Sequence, residues 1–294
     1  MRAHALTLHA ACCALLTLTS LQAPAQAPAQ APAAMISLAL PSHGADLLGV
    51  FYLAAGETPH PTAVLLHGFP GYEQNLDLAQ SLRAHGWNVL ALHYRGSWGV
   101  KGDFSFTHSA EDADTEINFV LDPANARKYH IDPRRVAVIG HSMGGFLAAS
   151  AIAHNPHVAA AVLISAWNIG ADMSRPNGKT ATLADVAKSL AQDNDLLPLA
   201  GTSGETLARE IHDHSAALNF FNLAPAIAPR PVFILTANDG LATVDTTLAA
   251  DLRKAGDQHV ETKHWDTDHS YSGQRAELAA TILTWLQASV PAAQ

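Results

Sequence analysis

Cysteine is almost missing from this chain. Its 294 residues include two, Cys12 and Cys13, side by side near the start. Beyond them no disulfide framework, thiolate nucleophile or cysteine metal site can form. Charge is also scarce. Charged residues make up 15% of the chain, with 17 Lys+Arg against 26 Asp+Glu, a formal net charge of −9. No basic cluster stands out, so nucleic acid is not the expected partner. The apolar run at residues 10–21, AACCALLTLTSL, is too short to span a bilayer comfortably. Hydrophobic residues still reach 48%, enough for a large core, and that content excludes global disorder.

The start of the chain reads as a leader. Arg2, the apolar run and the small residues of QAPAQAPAQAPAA form the three-part pattern of a secretory signal peptide. Cleavage after Ala25, with Ala23 at the other small position, fits best. The expected organisation is a signal peptide over 1–25, an Ala/Pro/Gln linker over 26–34 and a folded domain over 35–291. The expected location is outside the cytoplasm, periplasmic or secreted, with no stable membrane insertion once the leader is removed.

From Met35 onward strands alternate with helices. Apolar or alternating runs at 36–40, 47–53, 63–66, 87–92, 135–139, 158–164, 231–235 and 260–264 read as strands. Helical patterns fall at 76–85, 111–121, 146–154, 248–255 and 277–288. This alternation predicts a mainly parallel sheet covered on both faces. Residues 168–224 break the rhythm. They hold no strand pattern and two helical ones, 183–191 and 205–218, and are too long for a plain connection. A helical insertion over the sheet edge, acting as a lid, is expected there.

One corner carries a chemical signal. Gly140-His141-Ser142-Met143-Gly144 lies between an apolar strand and a helix, the context that gives G-x-S-x-G its meaning. The turn is tight enough to require glycines around the serine. It lifts the Ser142 hydroxyl above the strand ends and aims the helix amides at the same spot. A serine needs a base, an orienting acid and donors for an oxyanion. The order expected here is serine, then Asp or Glu, then His. Asp239 follows the strand PVFIL, in Thr236-Ala237-Asn238-Asp239-Gly240. His269 follows the last strand, in Asp266-Thr267-Asp268-His269-Ser270. Asp245 is a rival to Asp239, and His259 and His264 are rivals to His269. Asp266 and Asp268 are too close in sequence to His269 and read as loop carboxylates or caps. His67-Gly68-Phe69-Pro70-Gly71, directly after the 63–66 strand, places the Phe69 amide to act with the Met143 amide on an oxyanion.

HGFPG, YRGSWG (94–99), GHSMGG, TANDG and DTDHS together resemble the α/β-hydrolase superfamily, over almost all of residues 36–290. The likeness is greatest to the single-domain esterase and dienelactone-hydrolase-like branch, and to the catalytic domains of prolyl-oligopeptidase-like and serine-aminopeptidase-like enzymes. It implies an α/β-hydrolase fold with Ser142 as nucleophile, His269 as base, Asp239 as orienting acid, and Phe69 and Met143 as oxyanion donors. It also implies a reaction without a cofactor or metal. His93 departs from the family pattern. Many relatives carry Asp before Tyr-Arg-Gly, which leaves open what Arg95 pairs with.

The reaction expected is hydrolysis of a small-molecule carboxylic ester through an acyl-enzyme. The alternatives are an exopeptidase or amidase acting on a short peptide or amide, and an inactive binding protein on the same fold. Glu73 reads as a helix cap, or as a partner for a substrate ammonium group. His141 reads as packing or a rim contact. Trp167, with Trp98, Phe220 and Phe221, is a candidate for the pocket wall. The histidines at 154, 157, 212 and 214 lack the spacing of a helix-borne zinc pair and read as solvated.

Overall fold

The computed structural model describes residues 31–171 and 181–291. The expected leader and residues 26–30 of the linker lie outside them, as do residues 172–180 of the insertion. The described residues belong to a compact unit that starts at Ala31.

Eight strands form one sheet. They are β1 (Ala34–Ser42), β2 (Ala45–Leu53), β3 (His60–Leu66), β4 (Asn88–Leu92), β5 (Ile131–His141), β6 (Val158–Ile164), β7 (Val232–Thr236) and β8 (Val260–His264). Their order across the sheet is β1-β2-β4-β3-β5-β6-β7-β8. β2 runs antiparallel to both β1 and β4, and every other neighbouring pair is parallel. Burial follows position. Edge strand β1 alternates between exposed and covered residues, whereas every residue of central β3 is buried. That is why β3 is apolar without a period of two.

Helices cover both faces. They are α1 (Leu76–Ala84), α2 (Phe106–Leu121), α3 (Pro123–Lys128), α4 (Met143–His154), α5 (Leu183–Leu190), α6 (Gly204–Asp213), α7 (Ala224–Ile227), α8 (Ala242–Lys254) and α9 (Arg275–Ser289). Successive residues of a strand point to opposite faces, so β3 splits its side chains. Ala63 and Leu65 join Leu78 and Leu82 of α1 and Leu278, Ile282 and Leu286 of α9 in one core layer. Val64 and Leu66 join Ile117 of α2, Leu147 of α4 and Leu248 of α8 in the other. Each of these leucines is at most 2% exposed, and burying one contributes roughly 2 kcal/mol.

The described part of the 168–224 segment is helical, with α5 and α6 packed together and short 3-10 turns around them. It is tied by backbone to the loop before α2. Phe104 N donates to Ala200 O, Ala200 N to Gly96 O and Trp98 N to Pro198 O, at 2.8–2.9 Å. Glu210 of α6 accepts the first two amides of α2, from Phe106 at 3.0 Å and Thr107 at 2.8 Å. This explains why α2 begins five residues before the predicted 111. Its first turn, Phe-Thr-His-Ser-Ala, lacks an apolar period, but Ser105 and Glu210 satisfy its free amides.

Candidate active site

Strand register brings five loops to one end of the sheet. Leu66 pairs with Gly140, His141 with Ile164, Ile164 with Leu235 and Thr236 with His264. The segments after β3, β5, β6, β7 and β8 therefore leave side by side at the carboxyl ends of parallel strands. Open α/β sheets bind ligands at that edge.

Ser142 sits between β5 and α4 at φ 57° and ψ −120°, a conformation that costs energy for a residue with a Cβ. Packing over-determines it. Its amide donates to Ile164 O, and its carbonyl accepts from Gly145 N and Trp167 N, each at 2.9 Å. A Cβ on Gly140 would fall on the Gly144 carbonyl, and one on Gly144 would fall on the Leu66 carbonyl. A Cβ on Gly145 would come within 2.6 Å of the Ala166 Cβ.

Ser142 and His269 line the same pocket, of about 150 Å³, with Gly68, Phe69, Glu73 and Asp195 among its other walls. A larger groove of about 550 Å³ between β8 and α9 contains none of these residues. No hydrogen bond joins Ser142 Oγ to the His269 ring in this conformation. Such looseness is common before a substrate tightens a site. His269 Nδ1 donates to Asp239 Oδ2 at 2.9 Å; the Asp239 side chain is 3% exposed. Burial alone would raise the Asp239 carboxyl. Hydrogen bonds from His269 and the Leu241 amide, with the Ser165 hydroxyl nearby, outweigh it and hold the carboxyl at about 2, below its ordinary 3.8. The structure thus joins Asp239, and not its rival Asp245, to His269. Asp245 is wholly buried in the first turn of α8 and accepts the Ala166 amide at 3.0 Å. His264 is committed to Thr236 and Asn238, and Asp268 caps the Ser272 amide.

The 67–71 loop passes directly over the corner. A Cβ on Gly68 would lie 3.0 Å from that of Ser142. Tyr94 OH donates to His67 O at 3.0 Å and Trp98 Nε1 to Pro70 O at 2.7 Å, which hold the loop down. Met143 opens α4, where the first amides have no intrahelical partner. The Phe69 ring packs on Phe104, Phe106 and Trp167. Trp167 belongs to this aromatic cluster and is not among the pocket-lining residues; neither is Phe220 or Phe221.

His141 is buried beneath His269, ring on ring at 4.6 Å. Burial, reinforced by the neighbouring His269, pushes its imidazole down to about 3, so it is neutral. Its Nε2 donates to the His269 carbonyl at 2.9 Å. It therefore braces the His269 loop from below as well as lining the pocket. Glu73 accepts the Asn75 amide at 2.6 Å on the way into α1 and lies 3.8 Å from Arg275 Nη2, while also facing the pocket. The question raised by His93 has a structural answer. Arg95 pairs with Asp112 and Glu111 of α2, and His93 instead contacts His67 and stacks on Trp98.

Ser165 and Tyr271 were not singled out by the sequence. Ser165 ends an apolar strand and Tyr271 sits in a polar loop, so neither carries a local signal. Among the described residues no three His, Cys, Asp or Glu side chains converge as a metal site, and no helix is long and apolar enough to cross a membrane. A hydroxyl on a strained corner, an imidazole oriented by a carboxylate, and free amides over the corner are the parts that acyl transfer requires.

A model of the alpha/beta hydrolase family matches residues 63–281. The acylamino-acid-releasing enzyme 1 of Oryza sativa subsp. japonica is 35% identical over 107 residues, and the uncharacterized peptidase YuxL of Bacillus subtilis is 35% identical over 104. Those matches cover 33% and 31% of this chain but only 13% and 15% of the two relatives. Among solved structures, the alpha/beta hydrolase GrgF from Penicillium superposes with a TM-score of 0.64 at 16% identity, over 88% of this chain and 99% of the other. The Pyrococcus furiosus esterase Pf2001 gives the same score and identity, over 88% and 92%. At that identity the likeness is one of fold.

Proposed function

This chain belongs to the alpha/beta hydrolase family, and from that premise we propose that it is a serine hydrolase that cleaves carboxylic esters. Ser142 Oγ attacks the carbonyl carbon while His269 Nε2 takes its proton. Asp239 holds the tautomer that leaves Nε2 free and stabilises the imidazolium. The Phe69 and Met143 amides receive the oxyanion; losing one such donor typically costs about 3 kcal/mol of barrier. The imidazolium then protonates the departing alcohol. Water, deprotonated by His269, releases the acid and restores Ser142.

The observation that carries this reading is the pairing of a strained Ser142 with the His269–Asp239 couple around one pocket. Labelling by a fluorophosphonate probe tests it. Wild type is expected to label, and Ser142→Ala and His269→Ala are not. A folded wild type that resists the probe would count against the proposal.

A second reading keeps the chemistry and changes the bond to an amide. It is favoured by Glu73 and Asp195, two carboxylates facing the pocket, which suit a substrate ammonium group, and by likeness to peptidases over a third of the chain. Comparing an aminoacyl arylamide with a short p-nitrophenyl ester separates the two. The leader-like start of the sequence supports export of the enzyme, and N-terminal sequencing of the secreted form would test cleavage after Ala25.

A further inference from the structure

The segment after β4, His93 to Trp98, holds the 67–71 loop by its carbonyls. Tyr94 OH donates to His67 O, and Trp98 Nε1 donates to Pro70 O. A third carbonyl of the loop, Gly68 O, is served by the loop's own histidine, with His67 Nδ1 at 2.8 Å. That carbonyl and the Phe69 amide belong to one planar trans peptide, so they point in opposite directions. A donor that fixes Gly68 O therefore aims the Phe69 N–H.

His67 is 3% exposed, and its ring lies against Tyr94 with 4.3 Å between ring centres. The loop closes over it. A Cβ on Gly71 would come within 2.6 Å of His67 Nδ1 and 2.8 Å of Trp98 Nε1. At the other nitrogen of the ring, Nε2 lies 3.3 Å from His93 Nδ1. Proton counting orients these bonds. A carbonyl only accepts, so His67 Nδ1 carries a proton. Burial pushes the His67 imidazole down to about 3, against the pull of the Gly68 bond, so the ring is neutral and Nε2 is a bare acceptor. His93 Nδ1 must then donate to it. The chain of donors runs His93 to His67 to Gly68 O. Trp98 stacks on the His93 ring and backs it, with 6.0 Å between centres.

We propose that His93 is a positioning residue for the oxyanion amide: its Nδ1–H locks the His67 tautomer, and the His67 Nδ1–H in turn fixes the peptide that presents the Phe69 N–H. The assignment rests on the serine-hydrolase reading above, in which the Phe69 amide receives the oxyanion. A bond to a peptide carbonyl also polarises that peptide, which makes the amide at its other end a stronger donor. His93 acts only through His67, since neither histidine lines the pocket.

Two measurements on the full-length protein decide it. The first compares two variants. His93→Phe keeps a ring to stack on Trp98 but has no donor, whereas His93→Asn offers an amide N–H near the place of Nδ1. Losing an oxyanion donor outright costs on the order of a hundredfold or more in kcat, and loosening one should cost less. On a short-chain ester, kcat is expected to fall about tenfold in His93→Phe and to recover most of that in His93→Asn, with KM within about twofold in both. The rate of fluorophosphonate labelling should fall by the same factor as kcat, because the phosphoryl oxygen leans on the same amides. A wild-type kcat in His93→Phe, or equal losses in the two variants, would overturn the proposal.

The second measurement needs no turnover. With isotope-labelled histidine, the ring nitrogens of His67 are identified by their loss in His67→Asn. Near neutral pH, wild type should show a protonated Nδ1 and a bare Nε2 that accepts a hydrogen bond, and the Nε2 resonance should move in His93→Phe. A protonated Nε2, or an Nε2 resonance indifferent to His93, would also refute the proposal. If wild type resists the probe and turns over no ester or amide, the hydrolase reading fails in the first experiment, while the nitrogen resonances still decide whether His93 sets the tautomer. A His93→Phe variant that failed to fold would leave the wild-type spectrum, in which a protonated Nε2 alone breaks the chain of donors.

Discussion

The corner behind the serine and the mouth in front of it are built differently. Behind, the side chains of Asp239, Ser165, Asp245 and Tyr271 are buried, and their bonds join the segments that follow β6, β7 and β8. In front, Tyr72 is 56% exposed and Leu197 77%, and the Tyr72 hydroxyl makes one bond, to Asn194 O at 3.2 Å. Asp195 shares that mouth, and burial together with neighbouring Asp193 raises its carboxyl. The difference teaches a division of labour. Groups that must keep an alignment are enclosed and multiply held. Groups that meet a variable substrate stand on sparsely bonded chain, where exchange is cheap.

Substitutions can test that division, beginning with the largest expected effect. Ser142→Ala should lower kcat on the order of a millionfold, with an unchanged circular dichroism spectrum. Substantial turnover would move the nucleophile elsewhere. Asp239→Asn keeps the shape but offers the wrong tautomer, so kcat should fall on the order of ten-thousandfold. Asp245→Asn, in the same layer but not bonded to His269, should cost far less. Equal losses would erase the distinction between the two acids.

Stability is the next scale. Gly144→Ala drives a methyl group onto the Leu66 carbonyl and should cost roughly 1–3 kcal/mol in urea unfolding, together with most of the activity. Acid titration probes the same layer. The Asp239 carboxyl is lowered in the folded state, so its contribution is fully present above the ordinary 3.8 and is lost as pH falls through about 2. Asp239→Asn should lower urea stability at pH 7 to 8 and flatten its fall over that window, so that the gap to wild type closes as pH drops towards 2.

The mouth should respond least. Asp195→Asn and Glu73→Gln are expected to change KM for a cationic ester by only about two- to tenfold, leaving kcat and neutral esters alone. Because the Asp195 carboxyl is raised, the advantage of a cationic over a neutral ester should grow with rising pH and disappear in Asp195→Asn. A large kcat effect from either variant would mean that the mouth belongs to the machinery.

Legibility in the sequence follows the same line. The strained corner, the 67–71 loop that passes over it and both strand-end motifs could be read because each packs its requirement into five or six consecutive residues. β8, at 260–264, needed only its own pattern. What could not be read depends on distant partners. The start of α2 is satisfied by Glu210, about a hundred residues away. Arg95 is answered by Asp112 on a helix face rather than by its neighbour His93. Ser165 and Tyr271 are 106 residues apart and meet only because β6 and the loop after β8 end at one edge of the sheet. Trp167 looked like pocket wall because it follows a strand next to the corner, yet its ring is packed against Phe106.

Trp98 joins two parts of the molecule otherwise treated apart. Its amide donates to Pro198 of the insertion, and its indole donates to Pro70 of the 67–71 loop. If the insertion swings outward, it pulls on the carbonyl that seats the Phe69 amide. The amides of Trp98, Phe104 and Ala200 should then exchange with deuterium at one shared rate, and a ligand gripping the oxyanion amides should slow all three. Entry to the pocket and readiness for chemistry would rise and fall together, linked through the Trp98 indole beside the bond from Tyr72 to Asn194 O.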